Sequence, residues 1–322
     1  MNRPVRWGIL GCGDIATKRV ADAILRDTQS ELVAACRRDS AGLAQFGNHF
    51  GVSRLYSTAD ELIADGDIDA IYVATPVYLH CPHTIASANA GKHVLVEKPM
   101  AMSANECQQM IDVCRSYGVT LGVAYYRRFY PVVSRIAELL TTGALGRPLS
   151  ILATTGLETR FDRDNWRVVL SQGGGGPLMD IGSHRLDVFN MLLGAPLEVQ
   201  AAVTASEDYE AEQAATLLMR FAGGTTGVLQ CYFGAANVSD RLELIGTEGR
   251  VLTESLNDGN LQVITAAGSQ IEQHPPHYNL HAPLIADFTT AIQEGREPKI
   301  SGVEGMTTTQ IIDTAYESSG LR

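Results

Sequence analysis

The chain is predicted to be an α/β protein with an N-terminal doubly wound parallel sheet and a C-terminal α+β domain carrying a large, mostly antiparallel, open-faced sheet. Three observations predict this. A glycine turn, Gly11-x-Gly13-x-x-Ala16, joins an apolar run to a helical pattern, and strand and helix signals then alternate to about residue 124. Beyond that point strand-like stretches follow one another with little helix between them. The expected domains are 1–124 and 125–322.

Val5 to Leu10 suits a buried parallel strand, and apolar positions from Ile15 to Leu25 recur at helical spacing. Gly11 permits the tight turn, Gly13 lets backbone approach a ligand closely, and small Ala16 lets the helix pack on the strand. The helix start leaves N–H groups facing an anion, so Gly11, Cys12, Gly13, Asp14, Ile15 and Ala16 are candidate residues for a dinucleotide pyrophosphate. The next strand, Leu32 to Cys36, runs into Arg37 and Arg38 where an NAD site expects an acid for the ribose 2′-hydroxyl. Two guanidiniums suit a 2′-phosphate, so NADP(H) is favoured; NAD(H), read by Asp39, is the alternative.

Ser40 to His49 then reads as helix, Leu55 marks a short strand, Ile68 to Thr75 a strand and His83 to Ala90 a helix. His93 to Val96 is a strand, Ala104 to Tyr117 a helix and Thr120 to Tyr125 a strand. Ligands of such a sheet lie beyond the carboxyl ends of its strands. Those ends carry Gly11, Arg37, Thr75-Pro76, Glu97-Lys98 and Tyr125-Tyr126.

A helix over Pro131 to Leu140 leads into a strand over Leu149 to Leu157. Further strands are expected at Leu197 to Thr204, Ala214 to Phe221, Thr225 to Tyr232, Asp240 to Ile245, Gly249 to Thr253 and Leu261 to Ala266. A broad open sheet needs a cover, so a homodimer or homotetramer through it is expected. One helix, Leu178 to Leu193, carries Asp180, His184 and Asp187 along one stripe, with Ile181, Val188, Phe189 and Leu192 on the opposing face. Gly173 to Gly176 ahead of it allows close backbone approach.

Composition narrows the function. The 322 residues are 45% hydrophobic and 19% charged, and the formal net charge of −11 argues against a nucleic-acid surface. No apolar stretch reaches membrane-spanning length, and Met1 to Arg6 enters a strand rather than a cleavable signal, so a cytoplasmic protein is expected. The six cysteines, at 12, 36, 81, 107, 114 and 231, show no Cys-x-x-Cys spacing. His80 and His83 flank Cys81, and His274, His277 and His281 form a second loose group; neither has convincing ligand spacing, so no metal is expected.

Lys98, at a strand end, is placed to hydrogen-bond a reacting oxygen and stabilise negative charge developing during hydride transfer. His184 has the intrinsic pKa for proton exchange with a hydroxyl or carbonyl, and Asp180 is placed to orient substrate or imidazole. The two halves are expected to serve one reaction.

Gly11-Cys12-Gly13-Asp14-Ile15-Ala16, Thr75-Pro76, Glu97-Lys98-Pro99 and Asp180-Ile181-Gly182-Ser183-His184 together resemble the glucose-fructose oxidoreductase/inositol dehydrogenase/rhizopine catabolism (Gfo/Idh/MocA) family over nearly the whole chain. The resemblance implies a Rossmann domain, an open-faced C-terminal sheet used for oligomerisation, and NAD(P)-linked oxidation or reduction of sugars and polyols. It implies Lys98, Asp180 and His184 as the catalytic group and Glu97 near the nicotinamide ribose. Thr75, Pro76 and His80 join Glu97 and Lys98 among the cofactor residues. Trp166-Arg167 and Arg37-Arg38 make the chain similar to NADPH-dependent 1,5-anhydro-D-fructose reductases, with Trp166 and Arg167 helping to close the cofactor site. Family members often carry Asn where Tyr125 or Tyr126 falls, and His281 stands where Asn-Leu-Tyr sequences carry Tyr. Tyr126 and His281 are expected to line the substrate with Lys98, Asp180 and His184. The alternative is a cofactor-binding sensor of the same fold that performs no chemistry.

Overall fold

β1 (Val5–Leu10) is buried at every position but Arg6, which is why it reads as a continuous apolar run rather than an alternating one. The computed structural model describes residues 3–321. Met1 and Asn2, part of the stretch expected to lead into the first strand, lie outside the described residues, as does Arg322. The chain forms two units, Met1–Tyr126 with Asn279–Met306, and Arg127–Tyr278 with Thr307–Arg322.

In the first unit a π-helical turn over Ala16–Val20 runs into α1 (Ala21–Arg26). There follow β2 (Ser30–Cys36), α2 (Ser40–Phe50), β3 (Arg54–Tyr56), α3 (Ala59–Ile63), β4 (Ala70–Val73), α4 (His80–Asn89), β5 (His93–Val96), α5 (Ala104–Ser116) and β6 (Leu121–Val123). The six strands pair in the order β3-β2-β1-β4-β5-β6, parallel throughout. Strand order reverses between β1 and β4, and the crevice at that reversal is where such sheets bind ligands. α3 is an addition to the expected elements. It starts in a capping box of Thr58 and Glu61, a signal legible in the residues themselves.

In the second unit α6 (Pro131–Thr141), β7 (Pro148–Leu157) and α7 (Leu170–Gly173) precede a π-helical turn, Leu178–Gly182, that continues as α8 (Ser183–Leu193). The sheet is completed by β8 (Glu198–Ala205), β9 (Glu212–Arg220), β10 (Thr226–Phe233), β11 (Arg241–Gly246), β12 (Gly249–Thr253), β13 (Asn260–Thr265) and β14 (Gly268–Gln273). Its order is β14-β13-β12-β11-β7-β10-β9-β8, antiparallel except where β10 pairs with β7. β14 is mostly exposed and polar, so it lacks the alternation that announces a strand. On β9 the alternation is clear: Ala215, Leu217 and Met219 are buried while Thr216, Leu218 and Arg220 are exposed.

The expected two-faced helix is not what forms. From Gly182 to Asn190 every residue is buried, because the helix lies between the sheet and α6 and its polar groups are paired internally. Two long helices also follow the strands, α9 (Ala282–Glu294) and α10 (Gly302–Ser319), in a stretch for which no element is predicted from sequence. α9 has the apolar spacing of a one-sided helix, with Leu284, Ile285 and Phe288 buried.

Residues 279–306 lie within the stretch assigned from sequence to the second domain, yet they group with the first unit. The physical reason is cover for the parallel sheet. Phe288 packs against Trp7, their ring centroids 5.6 Å apart, and the hydroxyls of Thr289 and Ser30 are 2.8 Å apart. At the sheet edge the Val123 N–H donates to the carbonyl of Ile300 at 3.0 Å, so the returning chain pairs with β6. None of the buried cysteines is in a disulfide, and among the described residues no helix is long and apolar enough to cross a membrane.

Candidate active site

The glycine loop is built by two different constraints. Gly11 has φ +101°, and a Cβ there would lie 2.7 Å from the carbonyl carbon and oxygen of Ala74, so the end of β1 presses on the chain leaving β4. Gly13 is exposed, and no protein atom lies within 4 Å of where its Cβ would be. Protein packing therefore leaves that side of the loop open, which fits the close approach of a pyrophosphate to the N–H groups of the helix start. Ala16 is fully buried and Asp14 is exposed, paired with Lys18 at 2.8 Å. Cys12 points inward, and burial pushes its thiol up to about 12, so only its backbone is available.

That backbone engages Arg37. Its Nη1 donates to the Cys12 carbonyl at 2.9 Å, and its Nη2 lies 3.2 Å from Asp39 Oδ2. The same Asp39 oxygen accepts the Gly42 N–H at 3.1 Å, capping α2. Arg38 is exposed and makes no ion pair among the described residues.

At the ends of β4 and β5 the structure separates ligand-facing from supporting groups. Thr75 and Pro76 are half-buried on the rim. His80, expected among the cofactor residues, is 1% exposed, with Nε2 2.7 Å from the Thr75 carbonyl and Nδ1 2.9 Å from the Pro99 carbonyl. It ties the two loops together instead. Burial holds its pKa below the ordinary imidazole value, and a neutral ring can donate to only one of those carbonyls.

Glu97 is buried beside Lys98. Its Oε1 accepts from the Tyr72 hydroxyl at 2.7 Å, and its Oε2 from the Lys98 N–H at 3.1 Å. His281 Nε2 stands 3.6 Å from Oε1, an ion-pair distance rather than a hydrogen bond. Burial works to raise the Glu97 pKa, but the nearby His281, the Tyr72 hydroxyl and Lys98 outweigh it and hold the carboxyl below its usual range. His281 is 0% exposed and lies against Tyr126, with centroids 4.5 Å apart, while the Arg19 guanidinium sits 5.5 Å from the Tyr126 ring. Tyr126 and His281, two of the side chains expected to line the substrate, are thus buried, and His281 faces Glu97.

The second unit holds the other group. Asp180 and His184 are one helical turn apart, with Asp180 Oδ2 3.4 Å from Arg167 Nε. Arg167 in turn lies over the Trp166 ring at 4.4 Å, a cation–π contact. Asp187, on the same predicted stripe, is absorbed into the interior: Arg128 Nε donates to its two oxygens at 2.9 and 3.0 Å. Arg185 is likewise buried and paired with Asp240, which also meets Arg127 at 3.4 Å.

Within single units, then, Lys98 joins Glu97, Tyr72, His281 and Tyr126, and Asp180 joins His184, Arg167 and Trp166. Sequence reasoning missed Tyr72 as a support and gave Asp240 no role.

A parallel sheet in this strand order, with a glycine loop open at its reversal point and an acid–histidine pair on the helix of a second sheet unit, defines an NAD(P)-binding oxidoreductase. The comparisons agree. Residues 5–125 match the oxidoreductase family with an NAD-binding Rossmann fold, and residues 133–252 match the GFO/IDH/MocA C-terminal domain. The 1,5-anhydro-D-fructose reductase of Ensifer adhaerens is 28% identical over 309 residues, 94% of this chain and 92% of that protein. The trans-1,2-dihydrobenzene-1,2-diol dehydrogenase of Danio rerio is 32% identical over 250 residues, 77% of this chain and 73% of that one. The crystal structure of aldose-aldose oxidoreductase from Caulobacter crescentus, complexed with glycerol, has a TM-score of 0.92 at 28% identity, covering 99% of this chain and 98% of that chain. The chain belongs to the GFO/IDH/MocA oxidoreductase family and is an NAD(P)-dependent oxidoreductase.

Proposed function

We propose that the protein moves hydride between NADP(H) and a sugar, polyol or related cyclic carbonyl compound. The observation that carries the substrate class is the Asp180–His184 pair. Asp187 and Arg185 on the same helix are consumed by buried ion pairs, whereas the Asp180 side chain keeps 19% exposure one turn from His184. An acid and an imidazole at that spacing suit a hydroxyl or carbonyl oxygen, and the relatives named for a sugar ketone, a dihydrodiol and an aldose share that chemistry.

NADP(H) is favoured by the Arg37 corner. Asp39, the acid that would read an NAD ribose, is already engaged by Arg37 and by the cap of α2. The exposed Arg38, and the guanidinium donors that half-exposed Arg37 does not spend on Cys12 and Asp39, suit a 2′-phosphate.

The cofactor, when bound, supplies the hydride for the carbonyl carbon. Lys98 suits stabilising an oxygen that gains negative charge, and His184 suits proton exchange with a substrate hydroxyl or carbonyl, each of the two being a candidate proton donor. Asp180, oriented by Arg167, holds a substrate hydroxyl or the imidazole. Glu97 anchors the Lys98 backbone and is itself held by Tyr72.

A nicotinamide-absorbance screen over aldoses, ketoses, inositols, dihydrodiols and their oxidised forms tests this, run with NADPH and NADH in parallel. Turnover of a sugar or polyol, faster with NADPH, is expected. Cofactor binding with no turnover across the screen would establish the sensor reading instead, and a preference for NADH would overturn the cofactor choice.

Two further readings follow from the second sheet and the thiols. The outward row of β9 and β10, with Leu218 53% exposed and Val228 half-buried, supports a homodimer or homotetramer through that face. A single monomeric species by light scattering at micromolar concentration would remove it. Six buried cysteines outside any disulfide suit the reducing cytoplasm.

A further inference from the structure

The glycine run before the helix that bears Asp180 and His184 packs against a buried acid. Glu212, the first residue of β9, is 1% exposed. Its Oε2 accepts the Gly176 N–H at 2.8 Å, and its Oε1 accepts the Leu178 N–H at 3.1 Å and the Tyr316 hydroxyl at 3.0 Å. These are neutral donors, and two of them belong to the opening turn of the helix, whose N–H groups have no intrahelical acceptor. Between them stands Pro177, which has no N–H to satisfy.

The glycines are required by this contact. A Cβ on Gly176 would fall 2.1 Å from the Glu212 carbonyl oxygen, and one on Gly175 would fall 2.0 Å from the Tyr316 hydroxyl. A Cβ on Gly173 would meet the carbonyl oxygens of Trp166 and Arg167 at 2.7 and 2.8 Å. One short run therefore seats the loop of Trp166 and Arg167, the acid and the tyrosine against the turn from which Asp180 projects. The Asp180 N–H itself donates to the Gly176 carbonyl at 3.0 Å, so a shift of Gly176 is passed directly to Asp180.

We propose that Glu212 is a positioning residue, secured by Tyr316, that fixes the turn carrying Asp180 and His184 in register for proton transfer. The proposal rests on the catalytic reading of those two side chains. An amide at 212 keeps the size of the side chain but presents one acceptor and one donor, so it opposes at least one of the two backbone N–H groups. Phenylalanine at 316 removes one donor and leaves the backbone bonds in place.

The test compares Glu212→Gln, Tyr316→Phe and His184→Ala on the full chain. It measures kcat and KM with NADPH and 1,5-anhydro-D-fructose, or with the first sugar carbonyl the screen finds to be reduced. NADPH affinity by nicotinamide fluorescence and the melting temperature are measured beside them. Glu212→Gln should lower kcat by up to about a hundredfold, as expected for a misplaced catalytic group, with NADPH affinity unchanged. Tyr316→Phe should lower it by a smaller but measurable factor, roughly three- to tenfold. A purely structural role would lower the melting temperature and leave kcat of the folded protein unchanged, which overturns the proposal. If His184→Ala retains near-native kcat, the catalytic reading fails; if His184→Ala is inactive while both other variants turn over normally, only the positioning role fails. Should Glu212→Gln not fold, Tyr316→Phe decides.

Discussion

In the first unit the polar groups expected to meet a ligand sit on loops at the carboxyl ends of parallel strands, and several remain open to solvent: Gly13, Asp14 and Arg38 are exposed, and Arg37 and Lys98 are half-buried. In the second unit the corresponding groups ride on one helix that is buried over Gly182 to Asn190 and clamped by Glu212, Arg128 and Asp240. The first arrangement follows from topology, because every strand of a parallel sheet delivers its end to one rim. The second depends on ion pairs and hydrogen bonds between residues far apart in the chain. A rim substitution should therefore change ligand recognition with little effect on stability, whereas a helix substitution should separate into residues that react and residues that hold.

The sharpest challenge to that contrast is a pair of truncations, one in each unit. Lys98→Ala and His184→Ala should each reduce turnover by roughly two to four orders of magnitude, the range for a lost acid–base group, while NADPH still binds. Near-native turnover in both, on a confirmed substrate, would make the two groups structural.

Asp187→Ala, three residues beyond His184, should act on stability. It leaves the Arg128 guanidinium, 10% exposed, without the carboxylate that faces it, a loss of about 3–5 kcal/mol. The urea midpoint should fall with an unchanged denaturant slope. A midpoint equal to the parent would show that the helix is not held by this pair.

On the rim, Arg37→Asp should weaken NADP(H) far more than NAD(H), by about 1.5–3 kcal/mol or roughly ten- to a hundredfold, because repulsion replaces a charged hydrogen bond. The melting temperature should change little. An unchanged ratio of the two affinities removes Arg37 from the phosphate site.

The smallest effect concerns His281. Glu97 is held below its usual range, so it contributes stability that is present above the ordinary carboxylate pKa and lost as pH falls through the depressed value. His281→Leu removes part of that support and leaves burial, so the Glu97 value should rise and the loss should begin at higher pH. Acid unfolding followed by circular dichroism should show the midpoint displaced upward relative to the parent. No displacement would mean that Tyr72 and Lys98 alone hold the carboxylate.

The rim was the more legible half. Gly11 and Arg37 directly follow a strand with a continuous apolar run, and Thr75 and Lys98 stand two residues past theirs, so the end of each run marks the sheet's carboxyl edge. Position did not reveal direction: His80 and His281 share that neighbourhood in sequence or by resemblance, yet both turn inward. In the second unit Asp180, His184 and Asp187 are equivalent by helical spacing. Asp187 differs because Arg128, 59 positions earlier, reaches it. Periodicity cannot report a partner at that separation.

By itself the sequence determined the class of fold, the turn that suits a pyrophosphate, and the residue types at the strand ends, since these depend on short-range pattern and on the geometry of Gly, Pro and β-branched runs. Tertiary structure decided that Asn279–Met306 returns to the first unit, that Asp187 is spent on Arg128, and that Glu212 reaches Gly176 and Leu178. The reason is common to all three. A buried polar or apolar surface is satisfied by whichever distant segment the fold brings to it, and local sequence does not carry that partner's identity.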